Sequence, residues 1–412
     1  MLAGGGARGA YEAGALATLL PYLEQRGERP GVVLGTSIGA LNGSFLAASA
    51  HVSVAESLDS LIELWRRVQF SDFIGPVVSP RELGRVLLYL GGLLGIPRSN
   101  VPSLLDTTRL PGFVRSLIDF DRLHRNVDQG LVSLAVVATS YATGESVVFH
   151  DGPPGVAVET DLRRAISYVP SRVDGSHVHA SASIPVAFAA TRVDEPSTAA
   201  GWYGDGGTRL NTPIKPALKL GAKRVVVIGL NSSAPPSAPD NGQPDVFDGA
   251  AQVVQALLAD QLAQDVATLS SVNREVVDRD GNGLPDDAHK PVPYIFVAPR
   301  DRLTVGQLAA DVFREHLGGI KAVIRARDLA TLGHILGAGN TAVRGELFSA
   351  LFFATEFHNA LIELGRRDAE RWLSMTHDDG PWRLGSPPLP PPRSRPSRKA
   401  ARTRRVRAGD AA

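Results

Sequence analysis

The sequence predicts an α/β protein in which a sheet is buried between two layers of helices. Apolar runs of strand length are continuous rather than alternating, most clearly from Leu131 to Thr139 and from Arg224 to Leu230, and such runs are typical of strands covered on both faces. Helical patterns, such as Ile214 to Leu220, alternate with these runs. The 412 residues, 43% hydrophobic and 21% charged, suffice to bury a sizeable core.

Local patterns predict the elements of the first half in order. The β-branched run Val32-Val33-Leu34 predicts a short strand, and the pattern from Ile38 predicts the helix that follows it. Prolines break the amphipathic segment Ser57 to Ile118 into several helices, which indicates a helical insertion over one face of the sheet. Trp202-Tyr203 predicts another short strand, which ends in a Gly-rich turn.

The second half predicts a long helix from Pro244 to about Val276, an acidic loop, a strand from Tyr294 to Val297 and helices to Trp372. We therefore expect one α/β domain over residues 1–300, with the helical insertion at about 57–118, followed by a helical C-terminal extension over residues 301–385. The Pro/Arg-rich tail, residues 386–412, has too little apolar content to fold, so we expect it to be disordered.

The composition excludes several classes of protein. The chain has no cysteine, which excludes disulfides, thiolate metal sites and a cysteine nucleophile. No window approaches the roughly 18 uncharged apolar residues that cross a bilayer, which excludes an integral membrane protein. The sequence opens without a charged leader or a continuous apolar stretch, so we expect no secretion signal and a cytoplasmic location.

The formal net charge of +1 hides an uneven distribution. Eight basic residues lie between Arg393 and Arg407 with one acid, Asp410, beyond them, so the tail carries +7, whereas the remaining 35 basic and 41 acidic residues give −6. The tail could lie on an anionic membrane, contact nucleic acid or stay solvated. We expect at most a peripheral membrane contact and no nucleic-acid partner.

Three phenylalanines stand at helical spacing in the C-terminal half: Phe352, Phe353 and Phe357. They could touch lipid, but a stripe buried in a core is the commoner explanation of such a pattern.

The motif Gly35-Thr36-Ser37-Ile38-Gly39 matches the G-x-S-x-G nucleophile elbow. A serine in a tight strand-to-helix turn crowds its neighbours, so the positions two before and two after it do best without a Cβ. The predicted strand and helix flank Ser37 as the elbow requires, and the helix N-terminus favours an oxyanion nearby. The alternative is a plain Gly-rich turn with an N-cap serine.

Three successive glycines, Gly4, Gly5 and Gly6, open a loop that also satisfies G-x-G-x-x-G with Gly9. A dinucleotide site would need an acidic residue about twenty positions on, at the end of a second strand, but the acids near that position lie in or just after the first helix. We therefore favour an oxyanion hole built from the N–H groups of the three glycines. Arg8 holds the loop, attracts an anionic headgroup or faces solvent.

A serine hydroxyl needs a base at neutral pH, and Asp205 is the stronger candidate. It ends a predicted strand between glycines, including Gly206, that let another backbone approach. Its carboxylate could accept the hydroxyl proton and return it to the leaving group, helped by a pKa that partial burial raises. An ordinary Asp-Gly turn is the alternative. His177 and His179 flank a predicted loop and offer no clear partner for the serine. A histidine base in a Ser–Asp–His order also stays open, with the later candidates His289, His316, His334, His358 and His377.

Taken together, these three motifs resemble the patatin-like phospholipase family. Supporting signatures are Ala180-Ser181-Ala182-Ser183-Ile184-Pro185 before the aspartate motif, Asn211-Thr212-Pro213 after it, and Leu220-Gly221-Ala222 before the next strand. The resemblance covers roughly residues 1–300, and the joint pattern is highly specific although each piece alone is weak. It implies a three-layer α/β/α patatin-like sheet with a helical insertion and a helical C-terminal extension.

The resemblance also implies a serine lipid acyl hydrolase, a carboxylic ester hydrolase that cleaves acyl esters of lipids or phospholipids through a Ser-Asp dyad and an acyl-enzyme, with no cofactor and no metal. In this chain Ser37 would be the nucleophile, Asp205 the base and then the acid, and the backbone of Gly4, Gly5 and Gly6 the oxyanion hole. The supporting motif residues would be Arg8, Gly9, Gly35, Gly39 and Gly206.

One departure concerns the first strand, because only Met1, Leu2 and Ala3 precede the glycines. Family members usually have a longer strand there, so either a neighbouring strand compensates or the natural start lies upstream.

Several alternatives to ester hydrolysis stay open. An acyltransferase on the same scaffold, a catalytically idle lipid-binding protein and a nucleotide-binding protein would share these motifs, and the oligomeric state is unknown. The acidic run Asp278 to Gly283 fits the opening of a calcium loop, but His289 stands where a bidentate glutamate belongs. We therefore favour a plain acidic turn.

Overall fold

The structure is a computed structural model of the 412-residue chain. The residues that it describes are 1–77, 79, 84–85, 87–89, 101–153, 158–211, 213–230, 264–278, 290–301, 303–317, 327–338, 342–375 and 380–387. Residues 90–100 of the predicted insertion, 279–289 of the acidic loop and the tail from 388 onward lie outside the described residues. The predictions for those segments stay predictions.

The described residues contain eight strands in a central mixed sheet flanked by helices, which confirms the predicted α/β class. The strands are β1 (Val32–Thr36), β2 (Ser133–Ser140), β3 (Ser146–Asp151), β4 (Ile166–Pro170), β5 (Thr191–Val193), β6 (Gly201–Asp205), β7 (Val225–Ile228) and β8 (Tyr294–Val297). Six of them are ordered β4-β3-β2-β6-β5 with β1 also paired to β2, and β7 and β8 form a parallel pair.

The helices of the described ranges cover both faces of this sheet. They are α1 (Gly9–Glu24), α2 (Ile38–Ala48), α3 (Val54–Arg67), α4 (Leu110–Leu117), α5 (Phe120–Asp128), α6 (Gly175–Ser181), α7 (Ile214–Lys219), α8 (264–278), α9 (Thr304–Val312), α10 (Arg327–Ile335), α11 (Ala342–Ser349) and α12 (Thr355–Ser374).

Alternate residues of the central strands enter two separate cores, because successive side chains of a strand point to opposite faces. In β2, Leu134 and Val136 belong to the larger core, which also holds residues of α1, α2, α3 and α12. Ala135 and Val137 enter a smaller core with Leu210 and a residue of α7. A strand segment buried on both faces is apolar at successive positions, which explains the uninterrupted apolar run 134–138 inside β2.

The register of β2 brings two strand ends together. β1 runs parallel to β2 and ends with Thr36 opposite Val137, whereas β6 runs antiparallel and ends with Asp205 opposite Ala138. The carboxyl ends of β1 and β6 therefore meet head to head at neighbouring positions of β2. Since Ser37 follows β1 directly, the topology places it beside Asp205.

The short segment before the glycine loop lies between β1 and β7. Leu2 pairs in parallel with both Gly35 and Ile228, its N–H donates to Leu34 O at 2.9 Å, and the Ile228 N–H donates to Met1 O at 3.0 Å. A neighbouring strand, β7, thus supports this segment on the side opposite β1.

Helix α12 packs closely against α1, the helix that follows the glycine loop. A Cβ on Gly14 would lie 2.0 Å from the carbonyl oxygen of Ile362, and one on Gly365 would lie 2.1 Å from that of Tyr11. The Tyr11 hydroxyl also donates to Asp368 at 2.9 Å. The two helix backbones therefore touch, which requires glycine at both contact positions.

Most predicted elements are confirmed, including β1, β2, β6, β7, β8, α2 and α7. Strands β3, β4 and β5 were not predicted, because they are short and mix polar residues with apolar ones. The phenylalanine stripe is buried, with Phe352 and Phe357 fully inaccessible and Phe353 7% exposed, so the core explanation is confirmed. Over the described ranges, no helix is long and apolar enough to cross a membrane.

Candidate active site

Ser37 occupies a strained turn between β1 and α2. Its backbone has φ 55° and ψ −122°, a conformation that costs a non-glycine residue about 1–3 kcal/mol and persists only where the surroundings impose it. A Cβ on Gly35 would lie 2.1 Å from the Gly39 carbonyl oxygen, and one on Gly39 would lie 2.3 Å from that of Leu2. Both glycines of the elbow motif are therefore sterically required.

The Ser37 hydroxyl donates to the Asp205 carboxylate, with 2.6 Å between Oγ and Oδ2. Both residues are 5% exposed. The other carboxylate oxygen, Oδ1, accepts from the Gly207 N–H at 2.7 Å. A Cβ on Gly206 would lie 2.3 Å from Val137 O, so glycine at this position lets the turn after Asp205 approach β2.

Burial raises the pKa of the Asp205 carboxyl from 3.8 to about 6, while the hydrogen bonds from Ser37 and Gly207 oppose the increase. Desolvation disfavours the ionised form, whereas donors to the carboxylate favour it. At neutral pH the carboxylate is mostly ionised and can accept a proton. Its pKa is also high enough for it to return that proton.

Ser181, at the end of α6, holds the nucleophile turn in place. Its Oγ accepts from the Ser37 N–H at 2.8 Å and donates to Val137 O at 2.5 Å. In the sequence, Ser181 is visible only as part of a family signature, and nothing there predicts its contacts. A side chain that bonds the backbone of residues far away in sequence leaves no local pattern to detect.

The glycine loop offers two available N–H groups rather than three. The Gly4 N–H donates to Asn211 Oδ1 at 2.7 Å, whereas the N–H groups of Gly5 and Gly6 have no acceptor among the residues that the structure describes. Gly6 and Ser37 line the same cavity. Of the three predicted donors, the N–H groups of Gly5 and Gly6 are therefore the ones available to an oxyanion, and an oxyanion hole at this loop stays a prediction.

Arg8 is buried, at 3% exposure, and faces α11 rather than solvent. Its guanidinium lies 2.8 Å from Glu346 Oε2 and donates to Ser349 Oγ at 2.8 Å. Of the three expectations for Arg8, this geometry matches the one in which the side chain holds the loop.

An apolar cavity of about 50 Å³ opens beside the Ser37 hydroxyl. Its walls come from segments before and within α4, after α6 and after α11, and include Phe73, Leu110, Phe113, Ile184, Phe188 and Phe353. The chemistry of this lining suits hydrocarbon, because apolar groups gain by leaving water and need no polar partner. The volume holds only the first part of an acyl chain.

No histidine of the described residues hydrogen-bonds to Ser37 or Asp205. His177 instead contacts Asp174 at 2.8 Å, and burial lowers the pKa of both His179 and His358 to about 4. His289 and His377 lie outside the described residues. Likewise, no group of three or more His, Asp or Glu suited to a metal ion occurs within the described ranges.

The fold and the site define an α/β protein with a serine at a strand-to-helix turn and a carboxylate bonded to it. A family model described as patatin-like phospholipase matches residues 1–218, which is more than half of the 412 residues. The chain belongs to the patatin-like phospholipase family. That membership suggests lipid acyl hydrolase activity.

Among solved structures, the chain is similar to VipD from Legionella pneumophila, with 16% sequence identity and a TM-score of 0.29. The match covers 72% of this chain and 60% of the VipD chain, so this chain spans less than two thirds of that relative. A likeness of this size identifies neither the site nor the activity.

Proposed function

We propose that the protein hydrolyses fatty acyl esters of lipids, with phospholipids as a substrate class, through a Ser37–Asp205 dyad. The observation that carries this proposal is the 2.6 Å hydrogen bond between the two side chains. Both are buried, and Ser37 lines an apolar cavity. A nucleophilic hydroxyl, a carboxylate of raised pKa that can take its proton and an apolar surface beside them are features expected of a lipid acyl hydrolase.

In the first half-reaction, Ser37 Oγ attacks the ester carbonyl carbon and Asp205 Oδ2 takes the hydroxyl proton. The carbonyl oxygen becomes an oxyanion that accepts hydrogen bonds from the N–H groups of Gly5 and Gly6. When the tetrahedral intermediate collapses, the ester C–O bond breaks and Asp205 returns the proton to the departing alcohol. The acyl group stays on Ser37.

In the second half-reaction, a water molecule attacks the acyl-enzyme while Asp205 takes one of its protons. The bond between the acyl carbon and Ser37 Oγ then breaks, the serine recovers its proton from Asp205, and the fatty acid leaves. Each proton that the carboxylate accepts is returned within the same half-reaction, so the cycle needs no second acid or base.

The test is the hydrolysis of a chromogenic acyl ester by Ser37→Ala and Asp205→Asn. Asparagine can still accept the hydroxyl hydrogen bond but cannot take the proton, so each variant should lose at least about a thousandfold in kcat. Two exposed residues, Ser116 and Asp194, provide the matched controls Ser116→Ala and Asp194→Asn, which should keep wild-type turnover. Near-full turnover in a folded Ser37 or Asp205 variant would exclude the dyad.

Two rival functions give different results in the same set of experiments. An acyltransferase would pass the acyl group to added glycerol or lysolipid, which product analysis detects as a new ester. A catalytically idle lipid-binding protein would show no turnover, and a fluorophosphonate probe would form no adduct at Ser37.

A further inference from the structure

Glu346 lies in α11, outside the part of the chain that the family model matches, yet it contacts the glycine loop. Its Oε2 is 2.8 Å from the Arg8 guanidinium, and 4% of the Arg8 side chain and 1% of the Glu346 side chain are exposed. Its Oε1 accepts from the Gly306 N–H of α9 at 2.6 Å. One carboxylate oxygen is therefore bound to the backbone of α9, and the other forms an ion pair with Arg8 of the glycine loop.

Residues 346–350, at the C-terminal end of α11, contact three consecutive residues of the loop, Gly6, Ala7 and Arg8. The Arg8 guanidinium also donates to the Glu346 carbonyl oxygen at 2.6 Å, and the Ala7 N–H donates to Ala350 O at 2.9 Å. A Cβ on Gly6 would lie only 2.0 Å from that same Ala350 oxygen. The conformation of the loop is thus set from the C-terminal extension as well as from the strand that precedes it.

We propose that Glu346 is a positioning residue, whose ion pair with Arg8 fixes the glycine loop so that the N–H groups of Gly5 and Gly6 face the oxyanion. This inference rests on the proposed function. A buried guanidinium that loses its counter-charge is strongly destabilised where it stands and moves toward water. The loop moves with it, and oxyanion stabilisation requires donors about 2.7–3.1 Å from the oxyanion.

The variant Glu346→Gln removes the charge and keeps the size of the side chain. Its kcat for a short-chain ester should fall about tenfold to a hundredfold, because a displacement near 1 Å costs about that much in rate. KM should stay within about twofold, since the loop acts mainly on the transition state. Glu356→Gln, at an exposed glutamate of α12, is the matched control and should leave both constants unchanged.

Glu346→Asp keeps the charge on a shorter side chain and should retain more of kcat than Glu346→Gln. It also provides the kinetic comparison if circular dichroism and the melting temperature show that Glu346→Gln does not fold. A merely structural role would lower the melting temperature of both variants and leave kcat per folded molecule unchanged.

Hydrogen–deuterium exchange of the peptide that covers residues 4–8 tests the inference without turnover. Exchange should become faster in Glu346→Gln and stay unchanged in Glu356→Gln. If the wild-type protein hydrolyses no ester, the proposed function fails, but exchange still decides whether Glu346 orders the loop. Unchanged exchange in folded Glu346→Gln overturns the inference, and so does a rise in KM at constant kcat.

Discussion

The pH dependence of ester hydrolysis tests Asp205 as the base, because burial places the pKa of its carboxyl at about 6 rather than 3.8. Only the ionised carboxylate can accept the Ser37 proton, so kcat/KM should rise with pH and level off above the pKa. A group of pKa 6 is about one-tenth ionised at pH 5 and about nine-tenths ionised at pH 7, which gives about a tenfold increase. A carboxyl with the ordinary pKa of 3.8 would already be ionised at pH 5, so kcat/KM would show almost no increase over this range.

The causes of the shifted pKa can be separated with one variant. Burial raises the pKa of Asp205, and the donors Ser37 Oγ and Gly207 N–H lower it. Because Ser37→Ala deletes one of these donors, the pKa of Asp205 should rise above its wild-type value in this variant. Carbon NMR of isotopically labelled aspartate carboxyl groups measures it without any need for activity.

The assay should use an uncharged ester whose leaving group is detected equally well at every pH, with circular dichroism recorded at each point. His179→Gln is the matched control, because burial lowers the pKa of His179 to about 4 and the residue should not titrate between pH 5 and pH 7. A flat profile over this range in folded protein refutes the reasoning. A change in the pH of the inflection in His179→Gln also refutes the assignment of the profile to Asp205.

Two further predictions concern buried side chains near the site. Burial raises the pKa of Glu12 to about 8, so its contribution to stability is full below pH 4.5 and is lost as pH rises to about 8. Glu12→Gln should therefore melt at a higher temperature than wild type at pH 8.5, with a smaller difference at pH 5; equal melting curves at both pH values contradict this. Phe353→Leu shortens a wall of the cavity and should raise kcat/KM for medium-chain relative to short-chain esters. Phe352→Leu, at a buried residue outside that lining, should leave the ratio of these kcat/KM values unchanged. If the ratio is also unchanged in Phe353→Leu, Phe353 does not belong to the acyl site.

The class of fold could be predicted from the sequence because the middle of β2 is buried on both faces, which favours an uninterrupted apolar run, here residues 134–138. A Ser37–Asp205 pair was a candidate from the sequence because each residue stands in a glycine motif, and the glycines at positions 35, 39 and 206 do lie in close backbone contacts. A steric requirement for glycine is visible in the local sequence as a glycine motif.

The contacts of Asn211, Ser181 and Glu346 could not be predicted in the same way. Each of these side chains bonds to a residue more than a hundred positions away, and a polar residue in a loop or at a helix end satisfies local rules whatever its partner is. The Asn211 contact occupies the Gly4 N–H, so the loss of Gly4 as a candidate oxyanion donor could not be predicted from the sequence either. The missed strands β3, β4 and β5 are too short for a clear periodic pattern.

The paired glycines between α1 and α12 have a consequence for anyone who shortens or recombines this protein. Gly14 and Gly365 form a seam in which two main chains lie against each other without intervening side chains. A fragment that stops at residue 300 would expose that seam along the first helix to water and to other molecules. Chimeras with relatives must therefore exchange α1 and α12 together, because a methyl group added at Gly14 or Gly365 would force the two helices apart.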